Sequence, residues 1–449
     1  MKRPLIVVFL CQQVILSLSV SARAADIYAE PADYTDKLAQ LKPGDTLHLA
    51  AGEYTGGLKL AGLHGQDDAP IVITGPEAGS AIFRAAAGAN TVNVENASYL
   101  VIRRLVLDGG DQKVDAIKAG GAERRPAHHI TIEYNTIRGY GASRDVVAIN
   151  TKVPAWDWVI RGNTIIAPGT GMYLGDSDGD QPFIHGIIEN NLIADATGYC
   201  LQIKRQLARP VLPDMPPDPS PTIIRYNIFT KPSQTDQQTP RPNVLIGGLP
   251  DSGPGADDRY HVYGNVFYHN DTDSLFQGTG RISLHDSLFV DCKFPAITIK
   301  NHEGKPPKSI RIYHNSFLAV PQALRMSGLT EGGEQLMTAN IIAHWAGPAK
   351  LTVDKEGNAI IDANAAGKVF ACADLALGKC DLQPLSRIDV ILPPGFLRTV
   401  RDDLDWFLDY AGTVKPDAAY CGAFAQVRND SRPITATTRP AVKAPKPWE

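Results

Sequence analysis

Four short stretches carry residue types able to do chemistry. "GDSDGD" sets Asp176, Asp178 and Asp180 at alternating positions. Carboxylates so spaced make an oxygen-rich cluster of the kind a hard cation such as Ca2+ prefers, although the full EF-hand loop is missing. The plainer alternative is a solvated acidic turn. "QIKRQ" supplies Lys204, Arg205 and Gln206. Its two cations suit a carboxylate or sulfate on a sugar polymer, or a surface ion pair with the Asp cluster. "TIKNHEG" adds Lys300 and His302, a second set able to move a proton. "PAWDWV" places Trp156 and Trp158 at alternate positions, so both face one side of a strand. Exposed, they stack on a sugar ring; buried, they are core.

The elements that must position these residues repeat along the chain. Asn135, Asn163, Asn191, Asn227, Asn265, Asn315 and Asn340 share one local frame, with Ser287 in the same slot and Leu105 opening the series. The steps are 28, 28, 36, 38, 22, 28 and 25 residues, a repeat of unequal length with a fixed local frame. A second short apolar strand precedes each Asn, as in "VVAIN", "GMYLG", "YCLQIK" and "AITIK". Units this short bury an apolar face only by stacking, so the strands run parallel from coil to coil. At each bend the Asn hydrogen-bonds its counterpart in the next coil, which makes these amides structural.

The upstream strands give columns. Aligned on Ile117, Ile149, Leu174, Ile203, Ile246, Phe276, Ile299 and Met326, the next positions read Lys118, Asn150, Gly175, Lys204, Gly247, Gln277, Lys300 and Ser327. Asp176 and Arg205 follow, then Lys152, Ser177, Gln206 and His302. By this count Lys300 and His302 lie four coils beyond Lys204, about 14–19 Å away, so direct contact is not expected. Insertions at 207–221, 231–242 and 249–260 surround the site. Candidate substrate-binding residues are Lys152, Gln206, Gln277, Trp156 and Trp158.

Composition sets the limits. The chain has 449 residues, 43% apolar and only 7% aromatic, with 40 Gly and 33 Pro, which favours many turns over long helices. Lys2 and Arg3, an apolar run and "SARA" read as a leader cleaved after Ala24. Its removal takes the formal charge from −4 to −7, a poor match to nucleic acid. A secreted or periplasmic monomer, without a membrane span after cleavage, is expected. Cys372 and Cys380 are close enough in sequence to pair in an oxidising compartment, while Cys200 and Cys292 read as buried thiols.

The repeat resembles the right-handed parallel β-helix of the pectate-lyase-like superfamily. "YTDKLAQLKPGDTLHLAAGEYTG", Tyr34 to Gly56, and "DAPIVITGPEAG" look like the entry to chondroitinase-B-like and alginate-lyase-like polysaccharide lyases. The resemblance covers roughly residues 31–345 as architecture and implies an all-β solenoid with an N-terminal capping helix. Domain boundaries follow: a signal peptide at 1–24, the β-helix with its caps at 25–427 (core repeats about 91–345) and a disordered Pro/Thr-rich tail at 428–449. The irregular C-terminal cap carries a helical reading at "RDDLDWFLDYAG" and a closing strand at "AYCGAF".

For activity the resemblance implies β-elimination on a uronate-containing polymer. A cation, Ca2+ on the Asp trio or a Lys/Arg, neutralises the uronate carboxylate, and a base takes the neighbouring proton. Lys204, Arg205, Lys300 and His302 are the catalytic candidates. The chain departs from the alginate-lyase-like pattern: "QIKRQ" lacks its serines, and "TIKNHEG" has Lys where that pattern has Arg. The Asp-Pro-His-Asp motif of mannuronan epimerases is absent. A polygalacturonase-like hydrolase would need a rung-facing Asp-Asp pair, and near these stretches Asp257-Asp258, in a loop, is the only candidate. Alternatives on the same fold are a hydrolase, an epimerase or a non-catalytic polysaccharide-binding surface protein.

Overall fold

The repeated bend is a buried amide ladder. Asn135 Nδ2 donates to Asn163 Oδ1 at 3.1 Å, and Asn163, Asn191 and Asn227 each donate to the next Asn at 3.0 Å. The Ser287 hydroxyl accepts from Asn265 N, and Ser287 N donates to Asn315 Oδ1. The ladder opens at Leu105, whose N–H donates to Asn135, and runs past Asn340 to Asn358, one rung beyond the sequence series. The residue before each rung is left-handed, as at Tyr134 (φ 54°), Asn190 (φ 55°) and His314 (φ 51°), with glycine at 162 and 264. That conformation costs a non-glycine residue about 1 kcal/mol. Hydrogen bonds made out of reach of water offset the cost.

This two-residue corner joins two of three faces. The computed structural model describes residues 24–427, apart from 78, 217, 233–238, 345–350, 355, 363–366, 373–374 and 378. One coil reads Ile117–Ala119 on face C, Ala127–Glu133 on face A, then Thr136–Arg138 on face B. Among the described residues faces A, B and C hold 14, 13 and 10 strands, and the coil-to-coil pairing is parallel. The chain is a right-handed parallel β-helix, the hand that parallel crossovers adopt. Parallel pairing already begins at Asp26–Ala29 and ends at Ala359–Ile361. Inside, stacked rings run down the coils at Phe229, Phe267, Phe289 and Phe317.

The helix Tyr34–Leu38 caps the first coil, with Tyr34 edge-on to Tyr54 and Phe83. At the other end the expected elements shift. The helix is Phe396–Val400, and 401–412 holds turns in its place. "AYCGAF" is buried but bent: Cys421 N donates to Ile388 O and Gly422 N to Ala339 O, so it plugs the coil without adding a strand. Polar contacts fasten this segment along face A, with Asp403 bonded to Ser283, Arg311 and Tyr313. The backbone sets Cys372 opposite Cys380 in an antiparallel ribbon. Cys200 and Cys292 are buried free thiols, as expected. The expected leader, save Ala24, and the tail lie outside the described residues.

The A–B corner is six residues at 75–80 but two residues in each coil from Arg103–Val106 to Thr338–Ile341, so along that stretch inserted loops enter at the other two corners. Both border face C. The loops at 207–221 and 249–260 leave it and that at 231–242 returns to it. Face C is therefore the floor of a groove, with Arg144, Asp145, Tyr199 and Arg241 from the flanking segments at its sides.

Candidate functional site

Strand pairing gives the floor directly. Asn93, Lys118, Asn150, Tyr173, Gln202, Leu245, Gln277, Thr298 and Arg325 are partners from coil to coil. The column read from sequence mixed two levels, because its anchors at Ile117, Ile149 and Phe276 stand two residues early. In those coils the final core position is Ala119, Thr151 or Gly278, too small or polar to mark itself by hydropathy. Corrected, the level past each strand runs Lys152, Gly175, Lys204, Gly247, Thr279, Lys300. Lys152 thus joins the lysine column; Lys300 lies three coils from Lys204 and not four, since only two coils stand between them.

On this floor lies an open cleft of 390 Å³, lined by Arg144, Asn150, Lys152, Tyr173, Gln202 and Arg241 among others, with Asp145 its carboxylate. Lys152 Nζ stands 3.6 Å from the centre of the Tyr173 ring, and Lys204 Nζ 5.8 Å from the same ring. Burial pushes the Lys152 ammonium down to about 8, with Lys118 and Lys204 adding repulsion against the pull of Asp176 and Asp115. The Tyr173 hydroxyl bonds Ser177 Oγ at 2.8 Å. Asn150 donates to Asp115 and keeps a buried Oδ1 without a partner. Tyr173 is the residue that sequence reasoning missed. Its signal was present: it is the outward position of "GMYLG" by strand alternation.

The remaining candidates divide. Lys204 is buried and ion-paired with Glu303 at 2.7 Å, and Arg205 Nη1 donates to the Glu303 carbonyl at 3.1 Å. His302 stands beside them, its Nδ1 3.9 Å from Glu303, and burial lowers its pKa. The two sets judged too distant for contact are therefore joined by a loop folding back over the coils. Lys300 stands exposed. Gln277 lies on the floor but is 7% exposed. Gln206 is not a groove residue: its amide donates to Phe183 O and to Tyr260 Oη.

The tryptophans are also corrected. Trp158 is fully buried, its Nε1 donating to Ala127 O, and Trp156 is 1% exposed and stacked on His128 at 4.4 Å. Both lie on face A, away from the groove. Asp157 between them is left-handed (φ 56°), which breaks the alternation.

In the acidic turn, carboxylate oxygens of Asp176, Asp178 and Asp180 come within 4.8 Å of one another. Arg124 already stands among them, bonded to Asp176 at 2.6 Å and to Asp180 at 3.3 Å. The other Asp176 oxygen accepts from Gly179 N and Gln181 N. A Ca2+ ion takes six or more oxygens. The three carboxylates could hold an ion, which would have to displace the Arg124 guanidinium and draw further oxygens from outside the trio. Asp258 is likewise engaged, buried against Arg209 and Ser220 N, and Asp257 pairs with Arg281.

No family model matches the chain, and no curated protein matches it. Among solved structures it is similar to an alginate lyase from Paenibacillus sp. str. FPU-7, at 15% identity over 68% of this chain and 98% of that one, with a TM-score of 0.47. It is similar to the PL6 family alginate lyase AlyGC at 15% identity, spanning 75% of this chain and about half (49%) of that one, TM-score 0.45. A third is the Azotobacter vinelandii mannuronan C-5 epimerase AlgE6 A-module, at 15% identity over 74% and 93%, TM-score 0.43. Likeness at this level assigns no activity to this chain.

Proposed function

We propose that the groove on face C binds an acidic, uronate-containing polysaccharide and cleaves it by β-elimination. The observation that carries this reading is the Lys152–Tyr173–Lys204 cluster on three successive coils, beside an open cleft whose lining adds Arg144 and Arg241. A protein of formal charge −4 that gathers cations in one groove is built for an anion. Lys204 neutralises the ring carboxylate and so acidifies the neighbouring C–H. Lys152, with its depressed pKa, takes that proton. The electron pair forms the ring double bond, the C–O bond to the leaving sugar breaks, and the Tyr173 hydroxyl protonates the departing oxygen. Arg124 supplies the positive charge at the Asp trio, so the proposed steps use no metal. A hydrolase reading would need two facing carboxylates, and the cleft lining offers Asp145.

The protein acts after export, secreted or periplasmic; the basic start, apolar run and "SARA" support this. Incubation of the purified protein with alginate, pectate and hyaluronan, followed by absorbance of the unsaturated product, tests the activity. No absorbance on any acidic polymer sinks the elimination reading.

A further inference from the structure

The loop that leaves face C at Asn301 doubles back over the groove. Thr279 Oγ1 donates to Lys305 O at 2.7 Å, Lys305 Nζ bonds Asp251 at 2.8 Å, and Lys308 Nζ bonds Pro250 O. Gly248 makes room, since a Cβ there would stand 2.1 Å from Lys305 Cβ. The loop turns at Glu303 (φ 52°) and Gly304 (φ 77°), which delivers the Glu303 carboxylate to Lys204.

Only one oxygen of that carboxylate is well used. Oε1 takes Lys204 at 2.7 Å, whereas Oε2 stands 3.9 Å from both Arg205 Nε and His302 Nδ1. That is beyond hydrogen-bond reach. Both nitrogens are buried without a partner. Buried donors are rarely left so. Lys204, Arg205 and, in its Nδ1–H form, His302 converge on a carboxylate-sized place, and the Glu303 carboxylate takes only Lys204.

We propose that Lys204, Arg205 and His302 form a subsite for the ring carboxylate of a uronate, and that Glu303 holds this place until a uronate displaces it. The proposal rests on the acidic-substrate reading above. Glu303 spares Lys204 an unpaired buried charge in the free protein. As an internal competitor, it lowers apparent affinity by the fraction of time the subsite is free.

Calorimetric titration of the wild type and Glu303→Gln with trimers of mannuronate, guluronate and galacturonate, and with their carboxyl-reduced neutral forms, tests this. Glu303→Gln is expected to bind an acidic trimer about tenfold more tightly than the wild type, with no gain for the neutral forms. Lys204→Ala added to Glu303→Gln should remove the gain. Melting curves check that the variants fold, and Glu303→Asp, whose shorter arm weakens the lock while keeping the charge, should show a smaller gain. Equal affinities, or a gain shared by the neutral trimers, overturn the proposal. Elimination activity without the affinity gain overturns the subsite alone, and the gain without elimination overturns the lyase reading alone. Acidic trimers that bind neither protein overturn the subsite and the acidic-substrate reading together.

Discussion

Lys152 Nζ lies 3.6 Å from the centre of the Tyr173 ring, one coil away across face C. The ring face attracts the ammonium, while burial opposes its charge and prevails, bringing it down to about 8. A lysine in that position loses its proton close to neutral pH.

Elimination should therefore rise as pH climbs through about 8. Lys152→Arg keeps the charge and gives up the accessible neutral form, so turnover should fall by roughly 100-fold or more. Product absorbance against pH for both proteins checks this. A wild-type profile flat from neutral to alkaline pH would move the base elsewhere.

Tyr173→Phe keeps the aromatic face for Lys152 and removes the hydroxyl. Turnover should fall by about 100-fold while KM stays near its original value, as for a lost proton donor. A rise in KM with turnover intact would make Tyr173 a binding residue only.

Arg124 stands where a cation would sit on the Asp trio. Excess chelator should leave the wild-type rate unchanged. In Arg124→Ala the buried Asp176 loses its partner, and added Ca2+ should then raise the melting temperature. Inactivation of the wild type by chelator would return the metal to the reaction.

Asn227 Nδ2 donates to Ile188 O, Arg225 O and Asn265 Oδ1, and its Oδ1 accepts from Asn191 N and Nδ2. Asn227→Leu leaves several of these buried groups unpaired. At about 1–3 kcal/mol for each such group, the loss should exceed roughly 3 kcal/mol. Denaturant unfolding measures it, and a change below about 1 kcal/mol would contradict a continuous ladder.

Acid should loosen the fold before carboxylates titrate. Burial holds His128 down at about 4 and His261 at about 3, against an ordinary 6.5. Between those values the unfolded chain binds more protons than the folded one, so stability falls as pH drops from about 6.5 towards 4. Melting temperature against pH should show this decline, and His261→Asn should flatten it.

The sequence by itself determined the coil. A bend that must recur in every turn of a stacked solenoid leaves a local signature, and the Asn series with its turn residues carries it. The same logic makes Asn163 and Asn191 meet, since each rung contacts its own copy. The outward position of Tyr173 was also legible in the alternation of "GMYLG" but passed over, and only the paired strands show that it lies between two lysines. What only the tertiary structure decided is which groups from non-repeating segments come together. Lys204 and Glu303 are 99 residues apart, and their contact depends on a loop path set by Gly248 and two left-handed residues. Arg124 reaches Asp176 across 52 residues in the same way. Trp156 and Trp158 are misjudged from alternation because Asp157 breaks it, and a single left-handed residue between two strands has no periodicity to read. Repetition is encoded locally because every coil solves the same packing problem. The site is encoded in the exceptions to that repeat, and an exception acquires meaning only when the chain brings it against another.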